Sequence, residues 1–221
     1  MDIGLRYRAD ALAHGLRLAP LMPIDPANLD SDPLLQFEAW LADAEGAGLP
    51  LATAFALATA GGDGEPSVRM VLLRGLDHDG LRFYTNRGSR KGRDLAANPF
   101  ASGVFHWAPL SRQVRVAGPV HAMDDRESAA YWTTRPRASR LSAWASEQGM
   151  EISSRADLEA RVVEIDERYP GEAIPLPQFW GGYRLLPAVY EFWEGRPDRL
   201  HDRVEYLSDG SGGWRRRRLQ P

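Results

Sequence analysis

Apolar positions three and four residues apart first settle into a helical rhythm at Leu34, Phe37, Leu41 and Ala44. Asp32 stands in front as a capping residue and Pro33 takes the first helical position, so the pattern predicts an amphipathic helix ending near Gly46 or Gly48. The period then shortens. Residues 51–58, 67–74 and 81–86 read as strands, separated by the Gly61-Gly62-Asp63-Gly64 turn and by Asp79-Gly80. A helix over 89–97 interrupts them, and strands resume at 101–107 and 112–121. Asp124 and Glu127 form a capping box opening a helix that Pro136 breaks or restarts. Ser154 and Asp157 open another, with Leu158, Val162, Ile165 and Tyr169 on one stripe. Beyond a proline-rich link at 174–177, short strands return at 183–185, 189–193, 204–207 and 213–219.

Many short strands joined by antiparallel turn signals, with few helices between them, predict a mainly β fold: a barrel with peripheral helices. Strand and helix do not alternate and no G-x-G-x-x-G occurs, which argues against a dinucleotide-binding α/β fold. Residues 1–31 lack a sustained period and read as a flexible N-terminal arm with one helical turn, leaving 32–221 as a single domain. A length of 221 residues with 43% hydrophobic content suits one well-buried unit.

Composition narrows the chemistry. The chain has no cysteine, which excludes disulfides, thiolate metal sites and cysteine nucleophiles. Its five histidines show no short ligand spacing, so no metal is expected. The net charge of −3 speaks against nucleic acid, and the run Arg215 to Arg218 reads as a solvated strand end. No apolar run reaches the roughly 18 residues of a membrane span and no signal-peptide core precedes the arm, so a soluble, cytoplasmic protein is expected.

Against that mildly acidic background, local cationic clusters stand out. The segment Gly195-Arg196-Pro197-Asp198-Arg199-Leu200-His201-Asp202-Arg203 gathers three arginines and a histidine after Trp193. Guanidinium groups suit phosphate or carboxylate and imidazole exchanges protons near neutrality, so the segment reads either as an anion site beside a reacting centre or as a solvated turn. Ser89-Arg90-Lys91-Gly92-Arg93 sets three cations in the first turn of a helix, where the dipole disfavours them unless an anion is bound. A phosphate would suit the free backbone N–H groups and the Ser89 hydroxyl. Arg69 and Arg74, five apart on one predicted strand, should face opposite ways, and a second anion site and a bulge both remain open. Tyr131, Arg135 and Ser139 fall four apart, a possible phosphate cradle or an ordinary helix surface. Trp180, Tyr183, Tyr190, Phe192 and Trp193 read mostly as core, with one ring available to flank a planar cofactor.

Taken in order, these motifs resemble the pyridoxamine 5'-phosphate oxidase family. The carriers are Arg69-Met70-Val71-Leu72-Leu73-Arg74, Phe83-Tyr84-Thr85-Asn86 with Gly88-Ser89-Arg90-Lys91, Arg112-Gln113-Val114, Tyr131 with Arg135-Pro136-Arg137, Trp180-Gly181-Gly182-Tyr183, Glu191-Phe192-Trp193 and Arg199-Leu200-His201-Asp202-Arg203. The resemblance spans about residues 32–221. It implies an FMN-binding split β-barrel, a Greek-key antiparallel barrel, working as a homodimer with two sites at the interface. It implies FMN contacts from Arg69, Met70, Val71, Leu72, Tyr84, Thr85, Arg90 and Lys91, with Gln113, Gln148, Trp193 and Arg203 completing the pocket across the dimer. The substrate phosphate would meet Arg74, Tyr131, Arg135 and Ser139. Arg199 and His201, the implied catalytic pair, would lie over the pyridine ring. The implied reaction is oxidation of pyridoxamine or pyridoxine 5'-phosphate to pyridoxal 5'-phosphate, with hydride passing to the flavin and O2 reduced to H2O2.

Two positions depart from the family pattern: Arg74 replaces the usual lysine, and Gly149 stands where serine is common. The arm, with Arg6, Tyr7 and Arg8, is assigned no site residues. Two other readings compete: a related flavin oxidase acting on another reduced ring, such as a phenazine precursor, and a non-catalytic FMN- or pyridoxal phosphate-binding protein. An unphosphorylated ring would leave Tyr131, Arg135 and Ser139 without an anion, and storage alone has little use for Arg199 and His201.

Overall fold

Each glycine-rich turn folds its flanking runs back on one another, and antiparallel pairing follows throughout. The computed structural model describes Ala13 and residues 23–221. Its strands are β1 (Ala54–Ala60), β2 (Pro66–Leu72), β3 (Gly75–Asp77), β4 (Gly80–Asn86), β5 (Phe100–Trp107), β6 (Arg112–Ala122), β7 (Trp180–Leu185), β8 (Val189–Glu194), β9 (Asp202–Ser208) and β10 (Trp214–Arg218). They form one curled sheet in the order β10-β9-β8-β6-β5-β1-β2, with β7, β4 and β3 branching from β6. Within residues 23–221, five α-helices flank it: α1 (Pro33–Gly46), α2 (Arg90–Ala97), α3 (Asp125–Thr134), α4 (Arg137–Ala145) and α5 (Arg155–Arg168).

The branch is made by β6. Its first half pairs with β8 over 112–117 and its last three residues with β7 over 120–122. Gly118 sits at the switch, where an added Cβ would lie 2.0 Å from the Leu186 carbonyl oxygen. Only a residue without a side chain lets the two backbones pass this closely. The curl wraps around Phe37, Phe55, Phe83, Phe105, Phe192 and Tyr206, all fully buried. Helix α1 supplies Phe37, Trp40 and Ala44 to this core, and its start is fixed by the Asp32 carboxylate accepting from the Leu34 N–H at 2.8 Å. A second core joins α3, α4 and α5 around Trp132, Leu141, Ile165 and Trp180.

The helices arise where periodicity and caps predict them, while several strand limits shift. Strand β1 begins at Ala54 because Leu51 takes a left-handed conformation (φ 53°) and Ala54 closes a turn onto it. Strand β2 ends at Leu72, short of the predicted Arg74. The Leu73 N–H bonds Thr53 and the Arg74 N–H bonds Arg82, so the chain changes partner from β1 to β4. Strand β3 was not predicted; three residues are too few for an alternating pattern.

The expected flexible arm needs correction at its end. Residues 1–22, Ala13 apart, lie outside the described residues, but Ile24 and Leu29 are buried in the main core. Backbone carbonyls at Pro26 and Leu29 accept from Arg216, Ile24 from Arg218 and Asp30 from the Tyr206 hydroxyl. Apolar burial and these hydrogen bonds hold 23–31 onto β9 and β10. The basic run is a strand, as predicted, but Arg216, Arg217 and Arg218 are committed to partners. Among the described residues no helix is long and apolar enough to cross a membrane.

Candidate functional site

Strands β2 and β4, the start of α2 and the α3–α4 junction enclose a cavity of about 820 Å³. Arg69, Arg74, Arg90, Lys91 and Arg135 line it, and among the described residues no carboxylate does. Five cations around a concavity of ligand size make a strong anion-attracting field. Met70, Val71, Leu72, Tyr84, Thr85, Tyr131, Ser139, Gln148 and Trp180 complete much of the wall. Most of the residues expected around cofactor and substrate phosphate therefore meet in one place.

Lys91 is the most constrained cation. It is 6% exposed, and its Nζ donates to the Thr85 Oγ1 at 3.0 Å, the Ser89 Oγ at 3.1 Å and the Gln148 Oε1 at 3.1 Å. Those partners are neutral. Burial, helped by the nearby Arg69 charge, lowers the ammonium to about 8. A bound phosphate would restore its charge balance. Ser89 serves differently from the sequence reading: its hydroxyl gives its one proton to the Asn86 carbonyl at 2.7 Å and accepts from Gly92 and Lys91. It caps α2 and orients Lys91, with no proton left for an anion.

Gln148 corrects a second expectation. Expected to reach the pocket from across a dimer, it lies in the cavity of its own chain, accepting from both Thr85 and Lys91 at 3.1 Å. The adjoining Gly149 has φ +91°, so glycine at this departure from the family pattern fits a backbone that would strain serine.

The Arg69–Arg74 ambiguity is resolved by the end of β2. Because the chain leaves β1 after Leu72, strict alternation stops and both arginines line the cavity. Arg69 is held by its Nη1 donating to the Leu57 carbonyl at 3.1 Å and the Thr59 Oγ1 at 2.7 Å, and by its Nη2 donating to Ser67. Arg74 is exposed at the rim.

Tyr131, Arg135 and Ser139 meet across a broken helix. Tyr131 lies on α3, Arg135 is its extended C-cap (φ −74°, ψ 143°), and Ser139 lies on α4 after Pro136 restarts the helix. Their grouping comes from this bend. Tyr84 stacks on Tyr131 at 3.9 Å and on Trp180 at 5.4 Å, and the Arg135 guanidinium sits 4.7 Å over Trp180. Burial lowers Arg135 from its ordinary value, with Tyr131 opposing and Arg74 adding to the shift. Trp180, read from sequence as core, is also the floor under Arg135. Its position beside Tyr84 depends on β4–β7 pairing, which periodicity does not specify.

The remaining predicted residues form a separate group. Gln113, Trp193 and Arg203 stand in one row across β6, β8 and β9. None lines the cavity, and neither do Arg199 and His201. The Arg203 Nε and Nη2 engage both oxygens of Glu191 at 2.9 and 3.0 Å, so its fork is occupied within the chain. His201 packs on Trp193 with ring centroids 4.7 Å apart, and its Nδ1 accepts from the Arg196 backbone N–H at 3.1 Å. Arg199 is exposed on a turn where it and Asp198 both adopt positive φ (62° and 58°). Such backbone is costly for non-glycine residues and is retained where the surroundings enforce it. Arg196 ties down the flanks of this turn, pairing with the fully buried Glu194 at 2.6 Å and with Asp202 at 2.7 Å.

A family model described as pyridoxamine 5'-phosphate oxidase matches residues 41–169, and one described as the pyridoxine 5'-phosphate oxidase C-terminal dimerisation region matches residues 180–221. The chain is 52% identical over 198 residues to pyridoxine/pyridoxamine 5'-phosphate oxidase 1 of Ralstonia nicotianae, covering 90% of this chain and 93% of that protein. It is 49% identical over 201 residues to the pyridoxine/pyridoxamine 5'-phosphate oxidase of Cupriavidus metallidurans, covering 91% and 94%. Among solved structures it is similar to PhzG from Burkholderia lata in complex with tetrahydrophenazine-1-carboxylic acid, with TM-score 0.85, 34% identity and coverage of 92% and 99%. A pyridoxamine 5'-phosphate oxidase-related, FMN binding protein from Nostoc punctiforme shares the fold, with TM-score 0.68, 23% identity and coverage of 86% and 98%.

Proposed function

The chain belongs to the pyridoxamine 5'-phosphate oxidase family, and on that premise we propose that it oxidises pyridoxamine 5'-phosphate and pyridoxine 5'-phosphate to pyridoxal 5'-phosphate, with FMN as cofactor and O2 reduced to H2O2. The alcohol gives the aldehyde directly, while the amine also consumes one water and releases ammonia. Bound FMN would supply the two-electron acceptor. The chain's part is binding, orientation and charge.

The observation that carries this reading is the cavity that, among the described residues, is lined by five cations and no carboxylate. Its donors fall into two sets suited to two phosphates. Arg69, Arg90 and Lys91 would hold the cofactor phosphate, with Met70, Val71, Leu72, Tyr84, Thr85 and Gln148 around the rest of FMN. Arg74, Tyr131, Arg135 and Ser139 would hold the substrate phosphate. Arg135 is oriented for this by Trp180 and by donating from Nη2 to the Ser139 carbonyl at 3.1 Å, which leaves further guanidinium N–H groups for an anion. Arg199 would orient the pyridine ring and its reacting group, with His201 assisting as a hydrogen-bonding partner.

Gln113, Trp193, Arg203, Arg199 and His201 would complete the site from a second copy of the chain. The match of residues 180–221 to a dimerisation region supports a homodimer, and the absence of these five from the cavity wall supports shared sites. We assign residues 23–221 to one split-barrel domain, and the protein to the cytoplasm. A second reading, oxidation of another reduced ring, draws on the similarity to PhzG. The substrate-phosphate donors favour the first.

An aerobic assay of FMN-loaded protein with pyridoxamine 5'-phosphate, following aldehyde and H2O2 together, tests the proposal. Both products are expected in equal amounts. Turnover of unphosphorylated pyridoxamine at the same rate would overturn the phosphate-site assignment, and flavin binding with no aldehyde would overturn the reaction.

A further inference from the structure

Behind Arg69 lies a buried acid that the motifs above do not include. Asp94, on α2, is 8% exposed. Its Oδ2 accepts from the Thr59 hydroxyl at 2.6 Å and from the Ser67 hydroxyl at 2.9 Å. Thr59 and Ser67 face each other across the β1–β2 ladder. The same two oxygens accept from Arg69, Thr59 from its Nη1 and Ser67 from its Nη2. The guanidinium itself stays 3.8 Å from the carboxylate.

A hydroxyl has one proton and two lone pairs, so its direction depends on which neighbour takes the proton. A carboxylate can only accept. Thr59 and Ser67 must therefore both donate to Asp94 and turn lone pairs toward Arg69. With Leu57 taking the other Nη1 proton, Arg69 keeps its Nε–H and one Nη2–H without a partner among the described residues. Those two lie on one edge of the guanidinium, the geometry that grips a phosphate bidentately.

We propose that Asp94 is a positioning residue for the cofactor phosphate: through Thr59 and Ser67 it fixes Arg69 with its Nε–Nη2 edge free for the phosphate of FMN. This rests on the reading of Arg69 as an FMN ligand. The carboxyl also stays ionised where it is needed. Desolvation works to raise it, and the Thr59 and Ser67 hydrogen bonds with the Arg90 and Arg69 charges outweigh that and hold it below the usual carboxylate value.

The test is titration of the cofactor-free protein with FMN and with riboflavin, read by quenching of flavin fluorescence, for the wild type, Asp94→Asn and Ser67→Ala. Wild-type protein should prefer FMN. Asp94→Asn should weaken FMN about tenfold and riboflavin less than about twofold, because the loss is confined to charge-assisted bonds at the phosphate. Ser67→Ala, at a half-exposed position that tolerates truncation, should lose the same preference to a smaller degree, and it decides the matter if Asp94→Asn does not fold. Equal weakening of both ligands would reduce Asp94 to a structural role and overturn the proposal, as would an unchanged FMN preference in both variants. A wild-type protein without preference for FMN overturns the underlying phosphate site, an outcome distinct from either.

Discussion

Lys91 is a buried ammonium surrounded by neutral oxygens, and its titration follows from that. Burial and Arg69 lower it to about 8 from an ordinary 10.5. Between those values the unfolded chain holds a proton that the folded, ligand-free chain releases. The contribution of Lys91 to stability therefore rises as pH climbs from about 8 to 10.5, and below that window the cost of burying its charge is fully present. FMN would reverse the preference by pairing with the charged form. FMN affinity is thus expected to be flat from about pH 7, where the phosphate monoester is a dianion, to about 8 and to fall above it, which titrations across that range and up to about pH 9.5 would check. Lys91→Met should remove that dependence and weaken FMN about tenfold or more. At the proposed substrate-phosphate site, Arg135→Ala should raise KM for pyridoxamine 5'-phosphate by about 10- to 100-fold with little change for pyridoxamine, measured by steady-state kinetics.

At the level of elements, two short segments bear on the proposed site. Gly118 lets β6 leave one pairing for another, and Gly118→Ala should cost at least about 3 kcal/mol in denaturant unfolding, because its Cβ would collide with backbone. The turn bearing Arg199 and His201 relies on Arg196. Removing its side chain leaves the fully buried Glu194 with Arg112 at 3.1 Å as its remaining cation. Arg196→Ala is expected to lose about 2 kcal/mol of stability and to lower kcat/KM about tenfold while FMN affinity holds. Equal loss of FMN binding would count against a role confined to this turn. The helices were the legible elements, since caps at Asp32, Asp124 and Ser154 and three-to-four spacing act within a few residues. Strand limits were less so. β2 stops where its partner changes, and β3 exists only because β4 is beside it.

For the whole molecule, the division of the predicted site residues into two groups has a direct consequence. If each cavity is completed by the partner's turn, a subunit carrying Arg135→Ala and one carrying Arg199→Ala form a heterodimer with one fully intact site. At substrate concentrations far below the raised KM, where each variant alone turns over little, random mixing by refolding or co-expression should then recover about a quarter of wild-type activity. No recovery would mean that each chain completes its own cavity. Sedimentation or light scattering should show the dimer under the same conditions.

The sequence by itself determined the fold class, the helices and the residue types that line the cavity, because periodicity, capping and the residue types in each motif are local properties. Of the predicted residues, the β2–β4 set with Lys91, Tyr131, Arg135 and Ser139 does share one cavity. The tertiary structure decided what depends on partners distant in the chain. It turned Arg69 and Arg74 to the same cavity by ending β2, and brought Tyr131 and Ser139 together around a helix break. It drew Gln148 into its own chain's site, occupied Arg203 with Glu191, and set Asp94 behind Arg69. Spacing along a chain fixes direction only while the backbone stays regular; where it bends or changes partner, hydrogen bonds and packing across the fold take over.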